Sequence, residues 1–358
     1  MIRMLRFAAL SSLALCPLPA HAATVVTGVD ALREWNLIVL GDLVSSSEVE
    51  GRTFVGGNLS GSSSNYQIRT PAASNNGWSG LTVVGNVIGG TKNLNNGAGA
   101  VVGGNVTSGF NLNGPAQTVK IGGAIQNTNQ NNNIILTNQA ATPGFTAGLT
   151  DQKNALISSM NDLSVAYAGL ASNALVSIAG NRATFNAAPG ASAVTVYSLT
   201  AADLGTFGEV NFNLNGASTV IINVSGAAIT LNDNFLGNSQ YLGEKVIWNF
   251  ADATTLNLST AWKGSVLAPR AAGTIGNYIE GSAVFGSLIQ NGEIHLNTYN
   301  GGFMPPVTAG VPEPATWGMM ILGLGAIGGA MRYRRARRRV HGERLVSPGP
   351  GRRGLRLP

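Results

Sequence analysis

Cysteine is nearly missing from this 358-residue chain, and the single one, Cys16, lies in an N-terminal apolar run. The remainder can form neither a disulfide nor a thiolate metal site. Histidine is almost as scarce: of three, His295 is the one distant from both termini. A zinc site needs three or four Cys, His or carboxylate ligands, and here at most one would be nitrogen or sulfur. Charged residues make up 11% of the chain and aromatics 6%, whereas ordinary soluble domains carry about 25% charge. Positive charge is displaced to the ends. Of 22 Lys and Arg, Arg3 and Arg6 precede the N-terminal apolar run and ten follow Met331. The stretch between holds ten basic against fourteen acidic residues, a net charge of −4 under an overall +6. That distribution carries no nucleic-acid footprint.

What is present points to a β-rich exported protein. Hydrophobic residues reach 44%, which argues against disorder, and 48 glycines accompany abundant asparagine. Arg3 and Arg6, the apolar run Phe7 to Leu15 and the small-x-small site Ala20-His21-Ala22 form a secretory signal peptide over residues 1–22. Cleavage behind Ala22 implies the Sec export machinery as a partner.

The C-terminal region has three parts in fixed order. Val311 precedes Pro312-Glu313-Pro314; the run from Pro314 to Met331 carries no charge; then come Arg332, Arg334, Arg335, Arg337, Arg338 and Arg339. Such a run spans roughly 27 Å as a helix, about one hydrocarbon core. Arginines resist translocation, so the preceding domain is held outside. The composition alone also suits a simple membrane anchor, although Gly318, Gly323, Gly325, Gly328 and Gly329 weaken a permanent span. The order Val-Pro-Glu-Pro-Ala-Thr-Trp, apolar segment, arginine cluster resembles the PEP-CTERM sorting signal of Gram-negative bacteria. The resemblance covers residues 312–339. It implies recognition by an exosortase, a transient stay in the inner membrane, and delivery to the envelope surface or an exopolysaccharide matrix. That family's tail usually stops soon after the arginines; here residues 340–358 continue as a basic extension expected to be disordered.

Between the two signals a short pattern recurs. Thr53-Phe54-Val55-Gly56-Gly57-Asn58 is echoed at Val83-Val84-Gly85-Asn86, Val101-Val102-Gly103-Gly104-Asn105 and Ile121-Gly122-Gly123-Ala124. Asn58, Asn86, Asn105 and Ala124 fall at intervals of 28, 19 and 19. A short strand plus a Gly-Asn turn at a period near 19 predicts a parallel β-helix, or solenoid, with Gly supplying positive φ at the corners. Asn can bond the backbone of the next coil. A β-sandwich of short hairpins is the alternative. The interval of 28 implies an insertion around Asn65 to Gly80. One long helix is expected over about residues 150–171, capped by Thr150, with Leu156, Met160, Leu163, Tyr167 and Leu170 as its apolar stripe packed alongside. Strands resume at Val194 to Leu199, Val210 to Leu214, Val220 to Val224, Val246 to Phe250, Ser265 to Leu267 and Ala283 to Ile289. Trp35 to Leu43 reads as one buried strand, and residues 305–311 as a stiff linker. The stretches WNLIVLGDL, SEVEGRTFVGGNL, YSLTAADLGTFGEVNFNL and WKGSVLAP are similar to the choice-of-anchor A domain of bacterial surface proteins, within a domain spanning residues 23–304. A solenoid with a flanking helix is also seen in ice-binding adhesins, a likeness of fold alone.

Candidate sites are few. Asp42, Glu48 and Glu50 form the densest acidic group, and three carboxylates folded together would hold Ca²⁺. Otherwise Glu50 pairs with Arg52 or caps a turn. No other cofactor is expected. Glu293 and His295 share a strand face. Thr82, Thr91, Thr107 and Thr118 are out of register, which speaks against a regular threonine face. No catalytic residue is assigned. The expectation is an exported surface or matrix protein with structural or adhesive function, binding extracellular polysaccharide or surface proteins. The alternative is a carbohydrate-active enzyme, a lyase or hydrolase, using Glu48 to Arg52.

Overall fold

The computed structural model describes residues 25–190 and 194–305, together with residues 321–325, 327–328 and 332. The chain divides into two compact units, Met1–Pro305 and Pro306–Pro358. In the second, residues 321–325 and 327–328 and Arg332 are helical and exposed. Among the described residues no helix is long and apolar enough to cross a membrane. The signal peptide with Ala20 and Ala22, the motif Val311 to Pro314, most of the expected span, the arginines from Arg334 to Arg339 and the tail 340–358 lie outside the described residues.

The first unit is mostly β, with parallel sheets and few helices. The recurring Gly-Gly-Asn corner explains the stacking. Asp42 Oδ1 accepts from the Asn58 N–H at 2.7 Å, Asn58 Oδ1 from Asn86 at 2.9 Å, Asn86 Oδ1 from Asn105 at 2.8 Å and Asn105 Oδ1 from Ala124 at 2.9 Å. Just beyond each corner, Leu59, Val87, Val106 and Ile125 form successive parallel bridges, so the spacing read from the sequence is the register of the structure. The corner glycines are required for a different reason than expected. None of Gly103, Gly104, Gly122 and Gly123 has positive φ. A Cβ at Gly122 would lie 1.8 Å from the Gly103 carbonyl oxygen, and one at Gly123 would lie 2.1 Å from Asn105 Oδ1. Close approach of the next coil, rather than backbone handedness, excludes every larger residue.

The strands order along a long sheet as Ile134–Leu136, Thr118–Ile121, Ala100–Val102, Leu81–Val83, Thr53–Val55, Leu37–Val39, Ala283–Gln290, Ser265–Ile275, Val246–Asn249, Thr219–Ser225 and Val194–Thr200. Every neighbouring pair in this order is parallel. Sequence order and spatial order therefore differ. The first half of the chain stacks outward from Leu37–Val39 in one direction, and the second half returns to it from the opposite end. Ten strand spacings of about 4.8 Å separate the two ends, ~48 Å. The helix Phe145–Ala168 covers ~36 Å of that return, at about 1.5 Å per residue.

Two helices flank the long sheet. Helix α1, Gly28–Glu34, was not expected; it buries Val29, Ala31 and Leu32. Helix α2, Phe145–Ala168, has 24 residues and starts well before the expected cap. Gly144, at φ 82°, precedes its first turn, and Thr150 is interior. Four residues of the expected stripe, Leu156, Met160, Leu163 and Tyr167, are buried, whereas the helix ends at Ala168 and Leu170, beyond it, is half-buried. They pack on Ile38, Phe54, Ile221, Ile247, Leu267 and Val284, while the alternate residues Leu37, Val39, Val55, Val220, Ile222 and Val266 face the other core cluster. Burial of both faces accounts for the unbroken apolar runs. A polar latch ends the contact. Asn249 Nδ2 donates to the Ser164 carbonyl at 2.9 Å, and Asn223 Nδ2 to the Tyr167 carbonyl at 2.7 Å, satisfying groups in the last turns of α2.

Two further expectations need correction. Trp35 to Leu43 is not one strand: Leu37–Val39 ends at a corner and Leu43–Ser45 begins another strand. A Cβ at Gly41 would approach the Gly286 carbonyl oxygen to 2.8 Å, so the chain turns where the neighbouring coil leaves no room. The insertion expected around Asn65 to Gly80 begins only after the regular strand Ser64–Tyr66 and is a loop docked by Trp78, whose ring centre lies 5.3 Å from that of Trp35.

One inward position of the second sheet, in register with the buried Ser64, carries a charge. Lys92 is fully buried, with Nζ donating to the Ser62 carbonyl at 2.5 Å and the Ser60 and Gly61 carbonyls at 3.5 Å. Burial pulls its pKa down from 10.5 to about 8.

Two outcomes follow. Leu156→Ala should lower unfolding free energy by about 2–5 kcal/mol, whereas Val165→Ala, on the exposed face of α2, should change it by less than ~0.5 kcal/mol; chemical denaturation measures both. For Lys92 the folded chain binds fewer protons than the unfolded chain above pH ~8, so stability should rise with pH from about 8 towards 10. Above that, buried Tyr66, pushed up to about 12, reverses the trend because its unfolded form ionises first. Lys92→Met should flatten the rise in melting temperature between pH 8 and 10.

Candidate functional site

The second sheet carries the polar surface. Its strands order as Phe110–Leu112, Lys92–Leu94, Ser64–Tyr66, Glu48–Val49, Ile294–His295, Ile279–Glu280 and Trp262–Lys263, all parallel. Alternation sends one row inward: Trp262, Ile279, Ile294, Val49, Tyr66 and Leu94 are buried in register. The flanking rows point outward.

On one half of this face Glu48, Asn65, Asn93 and Asn111 stand side by side on successive strands. Asn65 Nδ2 donates to Glu48 Oε1 at 3.0 Å, and Asn111 Nδ2 to Asn93 Oδ1 at 2.8 Å. A parallel row repeats the device, with Asn113 Nδ2 donating to Asn95 Oδ1 at 3.1 Å. Between these pairs Asn93 Nδ2 donates to Ser63 Oγ at 3.4 Å and the Ser64 carbonyl at 3.5 Å, and the amides keep further donor and acceptor capacity for solvent or ligand. Residues spaced by the strand separation, ~4.8 Å, form a flat and regular hydrogen-bonding grid.

The other half carries ionisable groups. Lys263, Glu280 and His295 are in register. Lys263 Nζ is bonded and ion-paired to Glu280 Oε2 and sits 4.4 Å above the Tyr278 ring. The opposing pulls on Lys263 are burial, which lowers its pKa, and the bonds to Glu280 and Tyr278, which outweigh it; the net direction is upward. His295 stacks on Tyr278 at 4.3 Å between ring centres, and its Nε2 meets Glu293 Oε2 at 2.8 Å. Glu280 Oε1 accepts from Asn297 Nδ2 at 2.8 Å.

The sequence-derived residues fall on this face or at its margin, but separately. Asp42 Oδ1 is committed to the Asn58 corner, Glu48 Oε1 to Asn65, and Glu50 Oε2 to the Leu296 N–H at 2.6 Å, with Arg69 Nε 3.4 Å from Glu50 Oε1. The expected carboxylate cluster does not assemble, because Asp42 belongs to a corner of the long sheet while Glu48 and Glu50 each hold a different neighbour. Among the described residues no group of three or more His, Cys, Asp and Glu is placed to hold a metal ion. Arg52 is directed to Glu34 at 3.4 Å instead of to Glu50. Glu293 and His295 do share a face, as alternation predicts. The Lys263–Tyr278–Glu280 group was missed. Its signal is present in the sequence: Lys263, Glu280 and Asn297 recur at a constant interval of 17, the offset at which Val266 pairs with Ala283. Gly264-Ser265 and Gly281-Ser282 keep the same interval beside them.

Comparison with known proteins adds two family matches. Residues 28–296 match the model of an ice-binding-like adhesive domain. Residues 310–335 match the PEP-CTERM protein-sorting motif. The first covers the domain described above, and the second coincides with the ordered triplet of motif, apolar run and arginines. No curated protein and no solved structure matches the chain.

The half-buried pair on the face has a measurable signature. Glu280→Ala strands the Lys263 ammonium and should cost on the order of 2 kcal/mol. The double variant Lys263→Met with Glu280→Leu should recover most of that loss, read from denaturation curves of the four proteins.

Proposed function

From a chain that belongs to the ice-binding-like adhesive domain family and carries a PEP-CTERM sorting motif, we propose a surface or matrix protein that grips extracellular polysaccharide. The family match and the motif support export to the cell surface or extracellular space. The finer reading is a β-solenoid of a Gram-negative bacterium, exported by the Sec machinery, held briefly in the inner membrane and released by an exosortase. The observation that carries the binding reading is the outer row Glu48, Asn65, Asn93 and Asn111. Side-chain amides both donate and accept, as sugar hydroxyls do, and their regular spacing suits a repeating polymer. Membership of an adhesive family favours binding over catalysis.

The rival class, a carbohydrate-active enzyme, draws on Lys263, Tyr278, Glu280 and His295 in place of Glu48 to Arg52. New reducing ends or unsaturated products on incubation with polysaccharide, lost in Glu280→Gln, would establish it.

Binding is tested by co-sedimentation with the host's own exopolysaccharide. Replacing Asn65, Asn93 and Asn111 together by Ala removes amide contacts worth ~1 kcal/mol each, so affinity should fall at least about tenfold. Undiminished binding would refute the face as the contact. Sorting is tested by intact mass: the mature protein should begin at Ala23 and lack the apolar run Pro314 to Met331. Alanines at Pro312, Glu313 and Pro314 should trap the precursor in the inner membrane, and a wild-type level of release would exclude sorting through this motif.

A further inference from the structure

Beside the ionisable half of the face lies a cleft of about 750 Å³, within the range that holds small-molecule ligands. Helix α1, the loop Pro71 to Asn76 and the segment Leu296 to Asn300 form its walls. Its charges nearly cancel. Arg33 donates to Asp30 Oδ1 at 2.8 Å and to the Gly301 carbonyl at 2.9 Å. Arg52 donates to the Ala72 carbonyl at 2.6 Å and lies 3.4 Å from Glu34 Oε1. Both guanidinium groups thus have partners within the protein, with Arg33 Nε buried and unbonded, and Glu244 adds one further carboxylate to the rim. A polyanionic ligand would find no uncommitted cation among the described residues of the cleft. Apart from the Glu244 carboxylate, which disfavours an anion, what remains for a ligand is neutral: the amides of Asn75, Asn76 and Asn300 and the hydroxyls of Thr27 and Thr298. These groups both donate and accept, which matches a hydroxyl-rich neutral molecule. The cleft also continues the face. Asn297 lines it while its Nδ2 donates to Glu280 Oε1.

We propose that this cleft is a binding site for a short neutral saccharide, roughly two sugar rings, distinct from the flat asparagine grid. It rests on the polysaccharide reading given above and narrows the ligand to uncharged sugars. Apolar wall groups at Val25, Pro71 and Leu296 suit the ring faces, and the amides suit the hydroxyls.

The test is calorimetric titration of the protein purified from its host with maltose, cellobiose, N,N′-diacetylchitobiose and digalacturonate. At least one neutral disaccharide should bind with a dissociation constant at or below about 1 mM, and digalacturonate at least tenfold more weakly. Ala73→Trp, at an exposed position of the loop wall, fills the cleft and should weaken that binding at least about tenfold; Asn76→Trp serves the same purpose if the first variant folds poorly. Failure of all three neutral disaccharides to bind overturns the proposal, as does equal binding of digalacturonate or binding undisturbed by a folded cleft-filling variant. If the intact exopolysaccharide still sediments with the wild-type protein in those cases, the asparagine face stands and the cleft alone is refuted. If the exopolysaccharide is not bound either, both readings fall.

Discussion

The structure depends on one repeated contact, a side-chain oxygen at each corner accepting the backbone N–H of the corner on the next coil. The series Asp42, Asn58, Asn86, Asn105 sets the register of four successive steps. It works because the next coil comes within bonding distance, and that approach is what excludes any side chain at Gly103, Gly104, Gly122 and Gly123. Backbone hydrogen bonds then follow between strands of fixed offset, and a slip by one residue would turn every inward Val or Leu outward. The polar grid on the second sheet inherits its alignment from the same corners. Asn65, Asn93 and Asn111 face solvent in line because their coils are already in step.

The second constraint is topological. The first strand, Leu37–Val39, lies inside the stack, between Thr53–Val55 and Ala283–Gln290, so the chain must build one half, cross to the other end, and return. Helix α2 makes that crossing, and its apolar stripe covers the outer side of the long sheet. The sheet therefore buries both faces in its middle. The cost of placing polar groups there is offset by pairing them, as Asn223 and Asn249 do with the last turns of α2. On the second sheet Lys92 lacks such a match: its ammonium is held by carbonyls alone, and burial depresses its pKa.

Charge is rare in this domain and is concentrated. Lys263 with Glu280, His295 with Glu293, Arg52 with Glu34 and Arg69 with Glu50 all sit on or beside the second sheet. Because most of these groups neutralise one another, the surface they leave carries little unpaired charge.

Some of this was determined by the sequence alone. The sorting triplet, the recurring Gly-Asn corner, the stripe of α2 and the strands of the second half are local patterns. The uncharged run and the helical spacing report their own physical cause, whereas the reason for the corner glycines, close approach of the neighbouring chain rather than positive φ, is visible only in the structure. What the sequence left undecided depends on contacts between distant segments. The start of α2 at Phe145 follows from where the preceding coil ends, not from a capping side chain at Thr150. Asp42, Glu48 and Glu50 look like one site because they are neighbours in sequence, yet each is claimed by a partner contributed by another coil. Lys263, Tyr278 and His295 look unrelated because about one coil of sequence separates each from the next, and stacking brings them together. Parallel stacking converts one repeat of sequence into a single strand spacing, so residues far apart in the chain become neighbours and near neighbours in sequence are assigned to different partners.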